Sequence, residues 1–215
     1  NVLVINPKTF VILPKTVFLK NVDGCDTMLP LNIKKKRLCF ASCECADTEV
    51  QYLIYAEGFE EAKEKGDELI CIMLSGAISG TYQNAVNAKM MSEYEKIHVI
   101  DSCSTSAAIR IMADYAEKLI GWGLSAEEIV ERLEELKGRI RILAALDTLE
   151  YLQKGGRLSK AAAAIGTMAS LKPVITLTRE GDISVQQKCL GKARAQQYLL
   201  DQMKKVELDE DFPLY

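Results

Sequence analysis

The fold turns on residues 67–85, DELICIMLSGAISGTYQNA. Leu69 to Leu74 is apolar throughout, with no alternation, which is how a strand covered on both faces of a parallel sheet reads. The run then breaks into two Ser-Gly steps, Ser75-Gly76 and Ser79-Gly80, followed by Thr81 and a helical pattern to Tyr94. Two readings of this loop stand side by side. Ser79 or Thr81 caps the helix. Alternatively, the loop holds an anion, because the first N–H groups of a helix lack internal partners and carry partial positive charge. Ser75, Ser79 and Thr81 add hydroxyl donors, and Gly76 and Gly80 allow close backbone approach. The loop is too short for a P-loop, lacks G-K-[ST], and does not fit G-x-G-x-x-G, so nucleotide binding is disfavoured. With no cation inside the loop, a singly charged group such as a carboxylate suits it better than a polyphosphate.

The flanking segments extend the pattern. Gln51 to Lys65 has helical apolar spacing and closes on Lys63, Lys65 and Gly66. KIHVID (96–101) is a second buried strand, and STSAAIRIMADYAEKLIGWG (104–123) a helix ending at Gly121 or Gly123. Strand and helix thus recur at βαβ spacing, which predicts an open parallel sheet with right-handed crossovers. Within DSCSTSAA (101–108), Ser104 or Thr105 is expected to cap the helix. Before these segments, residues 2–19 alternate short apolar runs with Pro7 and Pro14 and suit edge strands. Residues 20–48 read as loop with at most one short helix.

At Ser125 the pattern changes. SAEE is a capping box with Glu128 three residues after Ser125, and the helix to Lys137 carries Ile129, Leu133 and Leu136 on one face. RIRILAALD is a strand and TLEYLQKGG a short helix. KPVITLTREGDISVQQKCLG is a hairpin turning at REGD, and a last helix runs from Lys192 to about Val206. The predicted fold class is α/β. A parallel βαβ sheet domain covers residues 1–124, and a second α/β domain with a mixed or antiparallel sheet covers residues 125–215.

Bulk properties narrow the function. The chain has 215 residues, 48% hydrophobic and 27% charged, with a net charge of −3, the balance of a soluble globular protein. The basic run KKKR (34–37) is too short to support nucleic-acid binding. No apolar run is long enough for stable membrane insertion, and the start lacks the basic region and cleavage site of a secretory signal. Seven cysteines, an odd number, favour a reduced, cytoplasmic protein. Cys39, Cys43 and Cys45 do not have a usual zinc spacing, so no metal is expected there. His98, the only histidine, falls inside a strand, which disfavours a Ser-His-Asp triad, and no G-x-S-x-G elbow occurs. With no nucleotide loop, metal cluster or general base, neither enzymatic chemistry nor a cofactor is assigned.

YLQKGGRLSKAAAAIG (151–166) is the remaining feature. Gly155 and Gly156 end a helix, and Arg157 and Lys160 stand near the start of another. The small residues of SKAAAAIGTMASL (159–171) suit close packing against a sheet, or the approach of a lipid chain. Arg157 is read alone as solvated or salt-bridged.

EKGDELICIMLSGAISGTYQNA (64–85), KIHVIDSCSTSAA (96–108) and ALDTLEYLQKGGRLSKAAAAIGTMASLKPVITLTREGDI (145–183) together resemble the DegV family of bacterial fatty-acid-binding proteins. The resemblance runs from Tyr55 to Met203 in the family's order. It implies a two-domain α/β protein with one long-chain fatty acid buried between the domains. The carboxylate would be held by hydroxyls and N–H groups at Ser79, Gly80 and Thr81. The family also uses a threonine from a T-S-x-P-S segment, which is absent here; Ser42 and Thr48 are the two counterparts, and spacing favours Thr48. Relative to the family pattern the chain looks shortened at both ends, lacking a first strand with its Asp-Ser loop and a later histidine near the head group. The implied function is a carrier that presents the carboxylate to a separate ATP-dependent fatty acid kinase, with Arg157 as a contact for that partner. Two alternatives remain: a small-molecule enzyme of open α/β type whose hydroxyl-rich loop binds phosphate or carboxylate, and a family member that keeps the fold without the ligand.

Overall fold

The computed structural model describes residues 2–6, 9–12, 31–33, 36–41, 48–158 and 170–206. Its strands are β1 (Val2–Asn6), β2 (Thr9–Ile12), β3 (Leu31–Ile33), β4 (Lys36–Ala41), β5 (Glu68–Met73), β6 (Ile97–Asp101), β7 (Arg141–Ala145), β8 (Leu171–Leu177) and β9 (Ile183–Leu190). Its helices are α1 (Thr48–Lys65), α2 (Thr81–Ser92), α3 (Ala107–Gly121), α4 (Ala126–Lys137), α5 (Glu150–Lys154) and α6 (Lys192–Met203). The chain divides into two compact units, Phe18–Gly138 and Asn1–Val17 with Arg139–Tyr215.

The Phe18–Gly138 unit is a four-stranded sheet in the order β3-β4-β5-β6. β4, β5 and β6 are parallel, and β3 pairs antiparallel with β4. Residues Leu69 to Met73 are each at most 2% exposed, so β5 is covered on both faces, as its unbroken apolar run predicts. Leu69, Cys71 and Met73 pack with Tyr55, Phe59 and Ala62 of α1 and with Ala85 and Ala88 of α2. Ile70 and Ile72, of opposite parity, face the other side, where α3 and α4 pack on β5. The Ser125 capping box forms in full: Ser125 Oγ accepts from the Glu128 N–H and Glu128 Oε2 from the Ser125 N–H. Ile129, Leu133 and Leu136 are buried as their spacing predicts.

The other unit is an antiparallel five-stranded sheet in the order β2-β1-β7-β8-β9. The β8–β9 hairpin turns at Thr178–Asp182, where the Thr178 N–H donates to the Asp182 carbonyl at 2.9 Å. Ala195 and Leu199 of α6 pack against Leu143, Val174 and Cys189. Lys172 of β8 lies 3.2 Å from Asp147, and its ammonium holds that carboxyl below its ordinary range.

Two features differ from the sequence expectation. Residues 20–48 were expected to be loop, but 31–33 and 36–41 are strands, and β4 lies inside the parallel sheet. The domain division expected at 124/125 falls instead at 138/139, and the N-terminal strands join the second unit rather than the first. The physical reasons are contacts distant in sequence: β1 pairs with β7, Leu3 opposite Leu143, while α4 packs on α3, β5 and β6.

Candidate functional site

In register, Ala41 sits beside Met73 and Met73 beside Asp101, so β4, β5 and β6 end along one edge of the parallel sheet. The next helices along the chain are α1 from Thr48, α2 from Thr81 and α3 from Ala107. α1 and α2 pack on one face of the sheet, and α3 packs on the other with α4. Adjacent parallel strands whose connections leave to opposite faces open a crevice at their carboxyl ends, where open α/β sheets bind ligands.

The loop after β5 is anchored at its start. Ser75 is fully buried; its N–H donates to the Ser104 carbonyl at 2.9 Å, and its own carbonyl accepts from the Ser79 N–H at 3.0 Å. The Gly76 N–H lies 3.2 Å from each oxygen of Asp101. A Cβ at Gly76 would stand 2.9 Å from Asp101 Oδ2 and 3.1 Å from the Tyr82 ring, so the glycine is required by the chain's own packing.

The end of the loop is different. Gly80 has φ −69 and ψ −5, which any residue adopts, and a Cβ there would meet nothing within 4 Å. Ser79 Oγ lies 2.7 Å from Thr81 Oγ1 and accepts from the Thr81 N–H at 3.3 Å. Ser79 therefore bonds the helix start from one position before the N-cap residue, Gly80, which makes no side-chain cap bond. Two hydroxyls joined by one hydrogen bond keep one proton to donate. The N–H groups of Gly80, Tyr82 and Gln83 have no protein partner among the described residues. They belong to the positive end of a 12-residue helix, and the space where a Cβ at Gly80 would stand is open among the described residues. Donors of this kind can bind one small anionic group, such as a carboxylate.

The loop after β6 is built around Asp101 and Ser102. Asp101 Oδ1 accepts from the Cys103 N–H at 2.8 Å. Ser102 Oγ donates to the Ser104 carbonyl and accepts from the Ser104 N–H, both at 3.1 Å. Cys103 and Ser106 have φ +49 and +51, so two non-glycine residues in this short loop sit in the left-handed region, at a cost of about 1–3 kcal/mol each. Neither Ser104 nor Thr105 caps α3, contrary to the sequence expectation: Ser106 is the N-cap residue and makes no side-chain cap bond. Ser104 is drawn inward to Ser102 instead.

Sequence reading missed Lys137. Its side chain is 18% exposed, its Nζ donates to the Asp101 carbonyl at 2.9 Å, and it pairs with Glu134. The loop contains no cation, but α4 brings one to the end of β6. A lysine in the last turn of a helix signals only helix-end chemistry, so no local pattern marked this contact.

The other predicted positions are placed as follows. Thr48 is the first residue of α1, at the same sheet edge as the two loops. Ser42, Cys43, Cys45 and Lys160 lie outside the described residues, as does most of the small-residue segment 159–171. Arg157 belongs to the other unit; it is exposed, and its guanidinium donates to the Gly155 carbonyl. His98 lies in β6 as read. A surface hollow on α4 is bounded by Leu124, Glu128, Glu131, Arg132 and Glu135; its three carboxylates suit neither an anionic head group nor an acyl chain. Among the described residues no helix is long and apolar enough to cross a membrane.

A family model described as "Uncharacterised protein, DegV family" matches residues 48–212. A DegV domain-containing protein of Caldanaerobacter subterraneus subsp. tengcongensis is 32% identical over 201 residues, covering 92% of this chain and 70% of that protein. A fatty-acid-binding DegV family protein of Thermus thermophilus superposes with TM-score 0.64 at 30% identity, covering 71% of this chain and 54% of that one. A stearic-acid-binding protein of Eubacterium ventriosum superposes with TM-score 0.65 at 26% identity, covering 79% and 64% respectively. The chain thus spans a little over half to about two thirds of the lengths of these relatives.

Proposed function

The chain belongs to the DegV family, and from that premise we propose that it binds a long-chain fatty acid, with the carboxylate at the start of α2. The observation that carries this reading is the end of the β5–α2 loop. There, three N–H groups without a partner among the described residues and the Ser79–Thr81 hydroxyl pair lie beside a glycine at which the described chain would accommodate a Cβ. The solved relatives that bind fatty acids share this fold. Thr48, the first residue of the neighbouring helix α1, is the proposed source of a further hydroxyl. Ser42 is the alternative contributor to the clamp.

Energetics assign the clamp its role. Removing about sixteen CH2 groups from water is worth roughly 13 kcal/mol at about 0.8 kcal/mol each. A membrane offers the lipid nearly the same gain, so the head-group contacts choose orientation more than they supply affinity. That orientation fits a carrier that presents the carboxylate to an ATP-dependent fatty acid kinase, with exposed Arg157 as a contact for that partner. The chain itself is proposed to perform no chemistry and to work in the cytoplasm.

Solvent extraction of the purified protein followed by gas chromatography should yield long-chain acids, and added palmitate should raise the melting temperature. A lipid-free protein that palmitate does not stabilise would show a family member without the ligand, and a bound polar metabolite would favour a small-molecule enzyme. Ser79→Ala should lower palmitate retention with the fold intact; unchanged retention would reduce Ser79 to a helix cap. With a purified bacterial fatty acid kinase, Arg157→Glu should slow acyl-phosphate formation while leaving palmitate retention unchanged.

A further inference from the structure

β6 is the last described strand of its sheet, in the order β3-β4-β5-β6. On the β5 side, the Lys96 carbonyl accepts from the Leu69 N–H at 2.8 Å and the Ser102 N–H donates to the Met73 carbonyl at 3.1 Å. Peptide groups alternate sides along a strand, so Asp101, one residue before Ser102, turns its backbone to the outer edge. The Lys137 ammonium takes the place of a neighbouring strand there, donating to the Asp101 carbonyl at 2.9 Å. The Lys137 side chain is only 18% exposed, and its other partner, Glu134 at 2.5 Å, lies on the same helix. The last turn of α4 is thereby pinned to the last residue of β6.

Asp101 in turn organises both neighbouring loops. Its carboxylate receives the Gly76 N–H at 3.2 Å and the Cys103 N–H at 2.8 Å. Next to Gly76, Ser75 bonds Ser104 through its N–H and Ser79 through its carbonyl. The left-handed backbone at Cys103 and Ser106 persists only where the surroundings hold it. Lys137 fixes the main chain of the residue whose side chain does much of that holding.

We propose that Lys137 is a positioning residue for the head-group site, a role that rests on the fatty-acid reading above. Through Asp101 it holds the start of the β5–α2 loop, and through the Ser75–Ser79 bond the donors at Ser79 and Thr81, in the arrangement that receives a carboxylate. Among the described residues Lys137 bonds Asp101 and Glu134 and none of those donors, so it acts at a distance from the ligand. Its loss should therefore weaken recognition of the charged head and leave burial of the acyl chain nearly untouched.

The test compares the affinities of the full chain for palmitate and for hexadecanol, which has the same chain length and an uncharged head. Lys137→Met, which keeps the buried stem, should weaken palmitate roughly 2–10-fold, the size of one net hydrogen bond, and hexadecanol by a smaller factor. Lys137→Arg should restore the wild-type ratio. Glu134→Gln, which removes only the half-exposed partner, should leave the ratio unchanged. Lys137→Gln gives the same comparison if Lys137→Met fails to fold. Equal weakening of both lipids, no weakening of either, or an effect of Glu134→Gln as large as that of Lys137→Met would each overturn the role. In the lipid-free chain, the Gly76 and Cys103 amides should exchange hydrogen faster in Lys137→Met. A wild-type chain that binds neither lipid overturns the fatty-acid reading, whereas unchanged exchange at those amides overturns the positioning role by itself.

Discussion

The two halves of the β5–α2 loop repeat the same Ser-Gly step and use it for opposite ends. At Ser75-Gly76 the N–H groups are taken by the chain itself: Ser75 bonds Ser104, and Gly76 makes room for the Asp101 carboxylate and the Tyr82 ring. At Ser79-Gly80 the two hydroxyls bond each other, Thr81 being buried, and nothing in the described chain stands within 4 Å of a Cβ built at the glycine. One negative charge, Asp101, already occupies the first half and opposes a second anion beside it. The second half offers the same kind of donors, with the Ser79 hydroxyl as internal acceptor and no carboxylate of the described chain beside it. A repeated dipeptide therefore separates into a structural element and a candidate binding element only when its partners are counted.

Substitutions can break or sharpen this contrast. The largest effect should come from Gly76→Ala, whose Cβ must displace Asp101 or Tyr82; overpacking of this kind costs about 1–3 kcal/mol in chemical denaturation. A loss below the error of that measurement would remove the structural reading of Gly76. Asp101→Asn keeps one acceptor but loses the charge that receives the Gly76 and Cys103 N–H groups, at about 1–2 kcal/mol. Palmitate retention should hold or rise, since a negative charge has been removed from beside the site. If retention collapses while the fold persists, Asp101 belongs to the ligand site and the contrast is misdrawn. Gly80→Ala should move stability least, within about 0.5 kcal/mol, because loss of a favoured N-cap residue is offset by a stiffer unfolded chain. It should nonetheless lower palmitate retention more than Asp101→Asn does.

Much of the fold was legible where covalent neighbours carry the signal. The unbroken run Leu69–Met73 marked a strand covered on both faces, SAEE marked the start of α4, and REGD marked a hairpin turn. β4 was not legible, because its apolar part is only Leu38–Phe40 and follows the basic run Lys34–Arg37. A strand in the middle of a sheet can hide behind charges at its amino end. The division of the chain was misread for a different reason. The β1–β7 pairing joins residues separated by the whole of the Phe18–Gly138 unit, and such pairing leaves no local trace. At the site, Ser79, Gly80 and Thr81 were readable as donors at a helix start. The fit of Gly76 against Asp101 and Tyr82 and the Lys137 contact each depend on groups brought together from separate elements.

The most direct test of the central claim is the position of the head group in a crystal structure of the chain loaded with palmitate. The account predicts carboxylate oxygens within about 2.7–3.2 Å of Ser79 Oγ and of an N–H in the first turn of α2, with the backbone of Gly80 in contact. A carboxylate seated against Gly76 in place of Asp101, or palmitate bound with its head group away from this loop, would contradict it.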